Sequence, residues 1–478
     1  MIIIDRGETM NKTKIVASIG PISYKKGILE QMIISGADVI RLNMCYADYN
    51  FCEKIISEVK EINKELNSSV AIMLDLEGPS IKTTKFKHDK GTFQTGDKIR
   101  MYFDDRVSSD VQFSINYDVL KYLKQGQIIK LSEGKVILEV LDVTSDYALC
   151  LVVKGGPVSS ASNVYFTGLK IERPFLTKRD KEDIKFASKM DIDFLVVPNV
   201  MTPADVLEVN DLLIELGNNH ISPLIKISND IVLKELDKMV DVADGIVIAR
   251  NDLVLSVPIE NIPVIKNEII YKCRMNGKIS IISADLSSFL SDEINPSRSE
   301  VSDLSNAVSL GVDAIILSSE TTIGHYPVDA IKQVERIINV SEHNIDYEYF
   351  YHTSLKTEIK NIRGMLIANT IDDVLKLECK GIVVATNSGL TAKLISRFRP
   401  PHPIIAIVPN DKVARSLNLH YAVIAVVINN YNFESLSAKA KYLALEILKL
   451  NKNDKIVIIG GHPFTKDTKT NFIKIEEV

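Results

Sequence analysis

Eight short, β-branched apolar runs separated by amphipathic stretches constrain this chain more than any other feature. They are Lys14–Ser18, Asp38–Asn43, Val70–Asp75, Phe194–Val197, Pro223–Ile227, Gly245–Ala249, Ile279–Ser283 and Ala314–Leu317. Each run is nearly continuous in apolar residues instead of alternating, the pattern of a parallel strand covered on both faces. Helical periodicity fills the intervals, as in Lys26–Ser35, Phe51–Leu66 and Ala204–Leu216. Eight strand–helix units predict an α/β chain built on a TIM (β/α)8 barrel.

The rhythm breaks once. Between Val70–Asp75 and Phe194–Val197 the pattern is short strands with turns, at Lys98–Phe103, Ile128–Ser132, Lys135–Val140 and Ala148–Val153, and no long helix fits. We expect a small all-β domain inserted after the third barrel strand. A second α/β pattern follows the barrel, with strands at Gly381–Thr386, Ile404–Val408, Ala422–Ile428 and Lys455–Gly460 and a helix at Leu390–Arg397. The expected units are 1–84 and 169–345 for the barrel, 85–168 for the insertion and 346–478 for a C-terminal α/β domain.

Bulk properties exclude several classes. The net charge of −5 gives no basic excess for nucleic acid or an anionic membrane. No apolar run approaches the roughly 18 residues that span a bilayer. Met1–Met10 has a short apolar start followed by charge, unlike a signal peptide. The five cysteines form no C-x-x-C pair, which fits a reduced cytoplasm.

Thr13–Ser23, Ala37–Asn43, Leu74–Lys82, Asp244–Leu253, Pro296–Asp303, Leu317–Pro327, Ala385–Ala392 and Arg397–Ala406 follow one another along the chain. They resemble, in that order, motifs of the pyruvate kinase family from its first strand to its C-terminal domain. The family architecture agrees with the one read from the runs. The resemblance implies transfer of a phosphoryl group from phosphoenolpyruvate to ADP, giving ATP and an enolate that is then protonated. Such chemistry rests on positioning and charge neutralisation, and the family adds Mg2+ and K+ as cofactors.

Carried over by motif, Arg41 would clamp phosphoryl oxygens and Lys226 would neutralise phosphoryl and enolate oxygens. Asp252 matches one carboxylate ligand of the divalent ion, and Asn43 and Asp75 match two oxygen ligands of the monovalent ion. Taken singly, a strand-end lysine or arginine is more often an ion-pair partner; the ordered motifs favour an ancestral pocket instead.

Other matching positions have lost the required groups. Ser228 stands where the family has its second metal-binding glutamate, and Ala284 where it has the threonine implicated in protonation. Cys45 and Leu76 replace a serine and a threonine at the monovalent-ion site. Tyr46, Ser80, Lys82, Asn251 and Ser256 replace a histidine, a glutamate, an arginine, a glycine and an acidic residue. In the C-terminal domain, Ser388, Gly389 and Thr391 could cradle an effector phosphate, while Asn387 replaces a frequent basic residue. The last loop, Gly460–Thr470, lacks the usual tryptophan and arginine.

The expected protein is therefore a catalytically inactive or impaired homologue, a structural or regulatory subunit in a homo- or hetero-tetramer with an active paralogue. The alternatives are a working pyruvate kinase of low activity, and a non-catalytic binder of ADP, ATP or phosphoenolpyruvate.

Overall fold

A computed structural model describes residues 11–478 other than 170, 172–173, 219, 291–294, 356–360, 429–432 and 463–467. The opening segment 1–10 and part of the last loop therefore lie outside the described residues. The barrel strands are β1 (Lys14–Ser18), β2 (Val39–Asn43), β3 (Ala71–Asp75), β4 (Phe194–Val197), β5 (Ser222–Ile227), β6 (Gly245–Ile248), β7 (Ile279–Ser283) and β8 (Ala314–Leu317). They close in the order β1-β8-β7-β6-β5-β4-β3-β2, all parallel.

The unbroken apolar runs follow from this closure. Val16, Val39, Met73, Phe194, Leu224 and Ile281 fill the barrel interior. Their neighbours Ile15, Ile40, Leu74, Leu195, Ile225 and Ile282 pack outward against the helices. Strand ends shift where a side chain takes over the backbone. The Asp38 carboxylate accepts from the Ile15 amide, and β2 starts one residue later than expected. Asn63 brackets Val70 by bonding both its amide and its carbonyl, so β3 starts at Ala71. The Ala249 carbonyl accepts from the Leu253 amide and begins the helix Arg250–Ser256 instead of extending β6.

Between β3 and β4, a six-stranded sheet and a separate two-stranded pair form their own apolar core. Four strands there were not expected: Lys90–Phe93, Gln112–Ser114, Gly156–Ser159 and Val164–Phe166. Each has three or four residues, too few to show periodicity. Among the described residues the helices of this region are single 3₁₀ turns.

The C-terminal sheet contains β9 (Gly381–Ala385), β10 (Ile404–Val408), β11 (Val423–Val427), β12 (Lys455–Gly460) and β13 (Phe472–Glu477), ordered β11-β10-β9-β12-β13. The last strand is an antiparallel edge that the sequence reading missed. Its apolar residues are interrupted by Lys474, Glu476 and Glu477, charges that protect an edge and hide its periodicity. This domain docks on the barrel floor, the amino-terminal face, where Leu419 closes the apolar interior.

Candidate functional site

The carboxyl ends of the barrel strands bring most of the expected residues into one mouth. Arg41, Asn43 and Asp75 share the inward face, because β2 and β3 pair Arg41 with Met73 and Asn43 with Asp75. The Arg41 guanidinium donates to the Asp75 carboxylate through Nε at 2.9 Å and again through Nη2. It also donates to the hydroxyls of Ser18 at 2.8 Å and Ser318 at 3.4 Å. Across the mouth, the Lys226 ammonium lies 3.0 Å from the Asp252 carboxylate. Burial alone would push Lys226 down; Asp252 and then Asp75 outweigh it and hold the ammonium above the usual lysine range.

A third ion cluster, with no counterpart among the expected site residues, rims this pair. Glu77 binds Lys82 at 2.5 Å and Arg179 at 3.1 Å. Arg179 in turn donates to the Met44 carbonyl at 2.8 Å, tying the helix Lys178–Met190 to the end of β2. An acid five residues before Lys82 was the available signal; the partner on a distant helix was not legible. Arg250 was passed over for the same reason: it donates to the Ser283 carbonyl and Asp285 and pairs with Asp303. Burial lowers its guanidinium below the usual range.

Leu76 and Ala284 directly follow the carboxyl ends of β3 and β7 and are buried among core residues. Cys45 donates its amide to the Asn43 side-chain oxygen at 3.0 Å, and burial raises its thiol above the usual range. Asn251 donates to Asp285 at 3.2 Å. Tyr46 is 91 % exposed and projects from the rim.

In the C-terminal domain, Gly389 caps the helix Leu390–Ser396 at φ +80°, and a Cβ there would meet Leu417 at 2.9 Å. The Gly389 amide donates to the Thr386 hydroxyl, and Thr391 is buried against Thr470 at 2.8 Å. The side chain of Ser388 is exposed beside this turn.

Two family models cover most of the chain: the pyruvate kinase barrel domain over residues 10–331 and the pyruvate kinase alpha/beta domain over 366–476. The chain belongs to the pyruvate kinase family. It is 33 % identical over 475 residues to the pyruvate kinase of Clostridium perfringens, covering 98 % of this chain and 100 % of that one. The pyruvate kinase of Clostridium acetobutylicum is 32 % identical over 472 residues, with the same coverage. A solved pyruvate kinase structure from Cryptosporidium parvum superposes with TM-score 0.89 at 28 % identity, covering 98 % of this chain and 96 % of that one. Among the described residues, no helix is long and apolar enough to cross a membrane.

Pyruvate kinases generally use Mg2+ and K+, and the donors of this pyruvate kinase homologue fit neither ion well. The Asp252 carboxylate already faces the Lys226 ammonium. Ser228, two residues beyond that lysine, adds only a neutral hydroxyl, and a hard dication favours charged oxygen ligands. Asn43 is engaged by Cys45, Asp75 by Arg41, and Leu76 is buried. A thiol is a poor ligand for a hard cation.

Proposed function

We propose that this chain is a pyruvate kinase homologue without the family turnover, acting as a structural or regulatory subunit of a cytoplasmic pyruvate kinase tetramer that includes an active paralogue. The observation carrying this reading is the Lys226–Asp252 pair, with Ser228 two residues beyond the lysine: where two carboxylates would hold Mg2+, one carboxylate is matched by an internal ammonium. Ala284 removes the hydroxyl the family uses near the enolate, and Cys45 and Leu76 weaken the K+ site. Losing several preorganised groups costs powers of ten in rate, since one alone is worth about 10²–10³.

In this reading Arg41 and Lys226 keep the phosphoryl-binding role, so phosphoenolpyruvate or ADP still docks. Asp252 supplies a residual divalent ligand, Asn43 and Asp75 a residual monovalent one, and Ser388, Gly389 and Thr391 an effector cradle. The working units are 1–84 with 169–345, 85–168 and 346–478. The retained Arg41, Lys226 and Asp252 favour a second reading, a low-activity enzyme. The double substitution Ser228→Glu with Ala284→Thr separates the two. A rise in pyruvate formation of at least about 10²-fold supports lost turnover, and an unchanged rate contradicts it. Co-expression with an intact pyruvate kinase and native mass spectrometry tests the subunit role. Mixed tetramers support it; exclusive homo-oligomers contradict it.

A further inference from the structure

A cavity of about 440 Å³ lies at the seam between the barrel's last helix and the C-terminal sheet, away from the strand-end mouth. The parallel register of the sheet explains its charge. β9 and β10 pair Ile382 with Ile404, so Lys380 and His402 stand side by side, each two residues before its strand's paired position. Lys449, just beyond the helix Phe433–Leu448, adds a second ammonium to the lining. Lys12 reaches the same edge because its carbonyl accepts from the Ala422 amide at 2.7 Å.

Among the described residues Glu342 is the one carboxylate in the lining, and it is already satisfied. It accepts from the Thr13 amide at 2.6 Å and the Lys12 amide at 3.0 Å, and its Oε2 lies 3.4 Å from the Lys12 ammonium. Lys380 and Lys449 have no ion-pair partner among the described residues, and both face the same cavity as His402. Burial first, then Lys380 and Lys12, pull the His402 imidazole down to about 4, with Asp454 opposing weakly. Among the described residues, two lysines without an ion-pair partner and a partly buried neutral imidazole leave the cavity lining short of negative charge. Pro401, Pro403 and Leu448 supply apolar walls.

We infer that this cavity binds a small organic phosphate monoester, its dianion at Lys380 and Lys449 beside His402 and its apolar body against Pro401, Pro403 and Leu448. A phosphate monoester brings two negative charges and accepts hydrogen bonds from both ammonium groups. The ligand touches the barrel helix and the C-terminal sheet together, so its binding links the two domains.

Isothermal titration of the full chain with adenosine 5′-monophosphate, with adenosine as the uncharged control, tests the site. The expected result is saturable binding of Kd below about 1 mM for the monophosphate and none for adenosine. Lys380→Ala and Lys449→Ala should each weaken binding about tenfold or more, as for charge-assisted hydrogen bonds. Lys226→Ala, in the barrel mouth, should leave it unchanged, which separates this site from the ancestral pocket. Nuclear magnetic resonance adds a local readout: the His402 imidazole should titrate at higher pH with the ligand bound. Absence of saturation, affinity unmoved by both lysine variants, loss of affinity in Lys226→Ala, or an unshifted His402 would each overturn the assignment.

Discussion

Aspartate–cation pairs occur at both ends of the barrel, and the two ends are built for different purposes. On the floor, Asp313 is 2 % exposed and every bond is used. It accepts from the Ser280 amide and hydroxyl at 3.0 Å each, from the Tyr421 amide at 3.2 Å and from Arg399 at 2.7 Å. Arg399 also donates to the Gly311 and Ser396 carbonyls, both at 2.8 Å. Asp193 and Arg415 repeat the arrangement, joining β4 to the C-terminal domain. At the mouth, the side chains of Lys226 and Asp252 are 28 % and 31 % exposed and touch through a single 3.0 Å contact. The same residue types therefore lock domains together at one end and stay open to ligands at the other, as the two faces of a barrel generally divide stability from function.

The contrast is sharpest for loss of a floor carboxylate. Asp313→Ala strands the buried Arg399, and we expect about 3–5 kcal/mol of lost stability in chemical denaturation. A loss under about 1 kcal/mol would erase the distinction between the ends.

The second effect is pH-dependent. Burial, outweighing Arg415, pushes Asp193 up to about 6, against about 3.9 for an unfolded aspartate. Between those values the folded chain holds a proton that the unfolded chain has released. The Asp193 contribution is therefore full below the unfolded value and falls by about 2–3 kcal/mol as pH rises through the folded one. Denaturation between about pH 4 and pH 7 should show the wild type losing stability relative to Asp193→Asn by that amount. Parallel curves would mean that Asp193 is ionised throughout.

Effects at the mouth are smaller and fall on ligands. Ser228→Glu supplies a second carboxylate beside Asp252 and should tighten Mg2+ binding about tenfold, or 1.4 kcal/mol, by isothermal titration. Equal affinities would place Ser228 away from the ion. Lys226→Ala removes one partner of a part-exposed pair, so thermal unfolding should register a loss of less than about 1 kcal/mol.

Legibility in the sequence also divides between regions. The barrel could be read because strands buried on both faces leave continuous runs such as Phe194–Val197 and Ala314–Leu317, and these runs match the observed strands without adjustment. The short strands of the inserted domain and the charged edge β13 gave no comparable pattern. At the site, strand-end positions such as Arg41, Asp75 and Lys226 were legible because each lies near the carboxyl end of an apolar run and matches an ordered family motif. Contacts closed by distant segments were not: Arg179 on Glu77, Arg250 on Asp285 and Asp303, and Ser318 on Arg41 are set by tertiary packing. Leu76 and Ala284 could be read as departures from the family pattern, and the structure adds that both pack in the core.

Pyruvate formation by the purified chain, with phosphoenolpyruvate, ADP, K+ and either Mg2+ or Mn2+, decides whether turnover has been lost. With Ser228, Ala284, Cys45 and Leu76 in place, no turnover above a matched blank is expected. A kcat of about 1–10³ s⁻¹, the ordinary enzyme range, in a preparation free of other pyruvate kinases would contradict it.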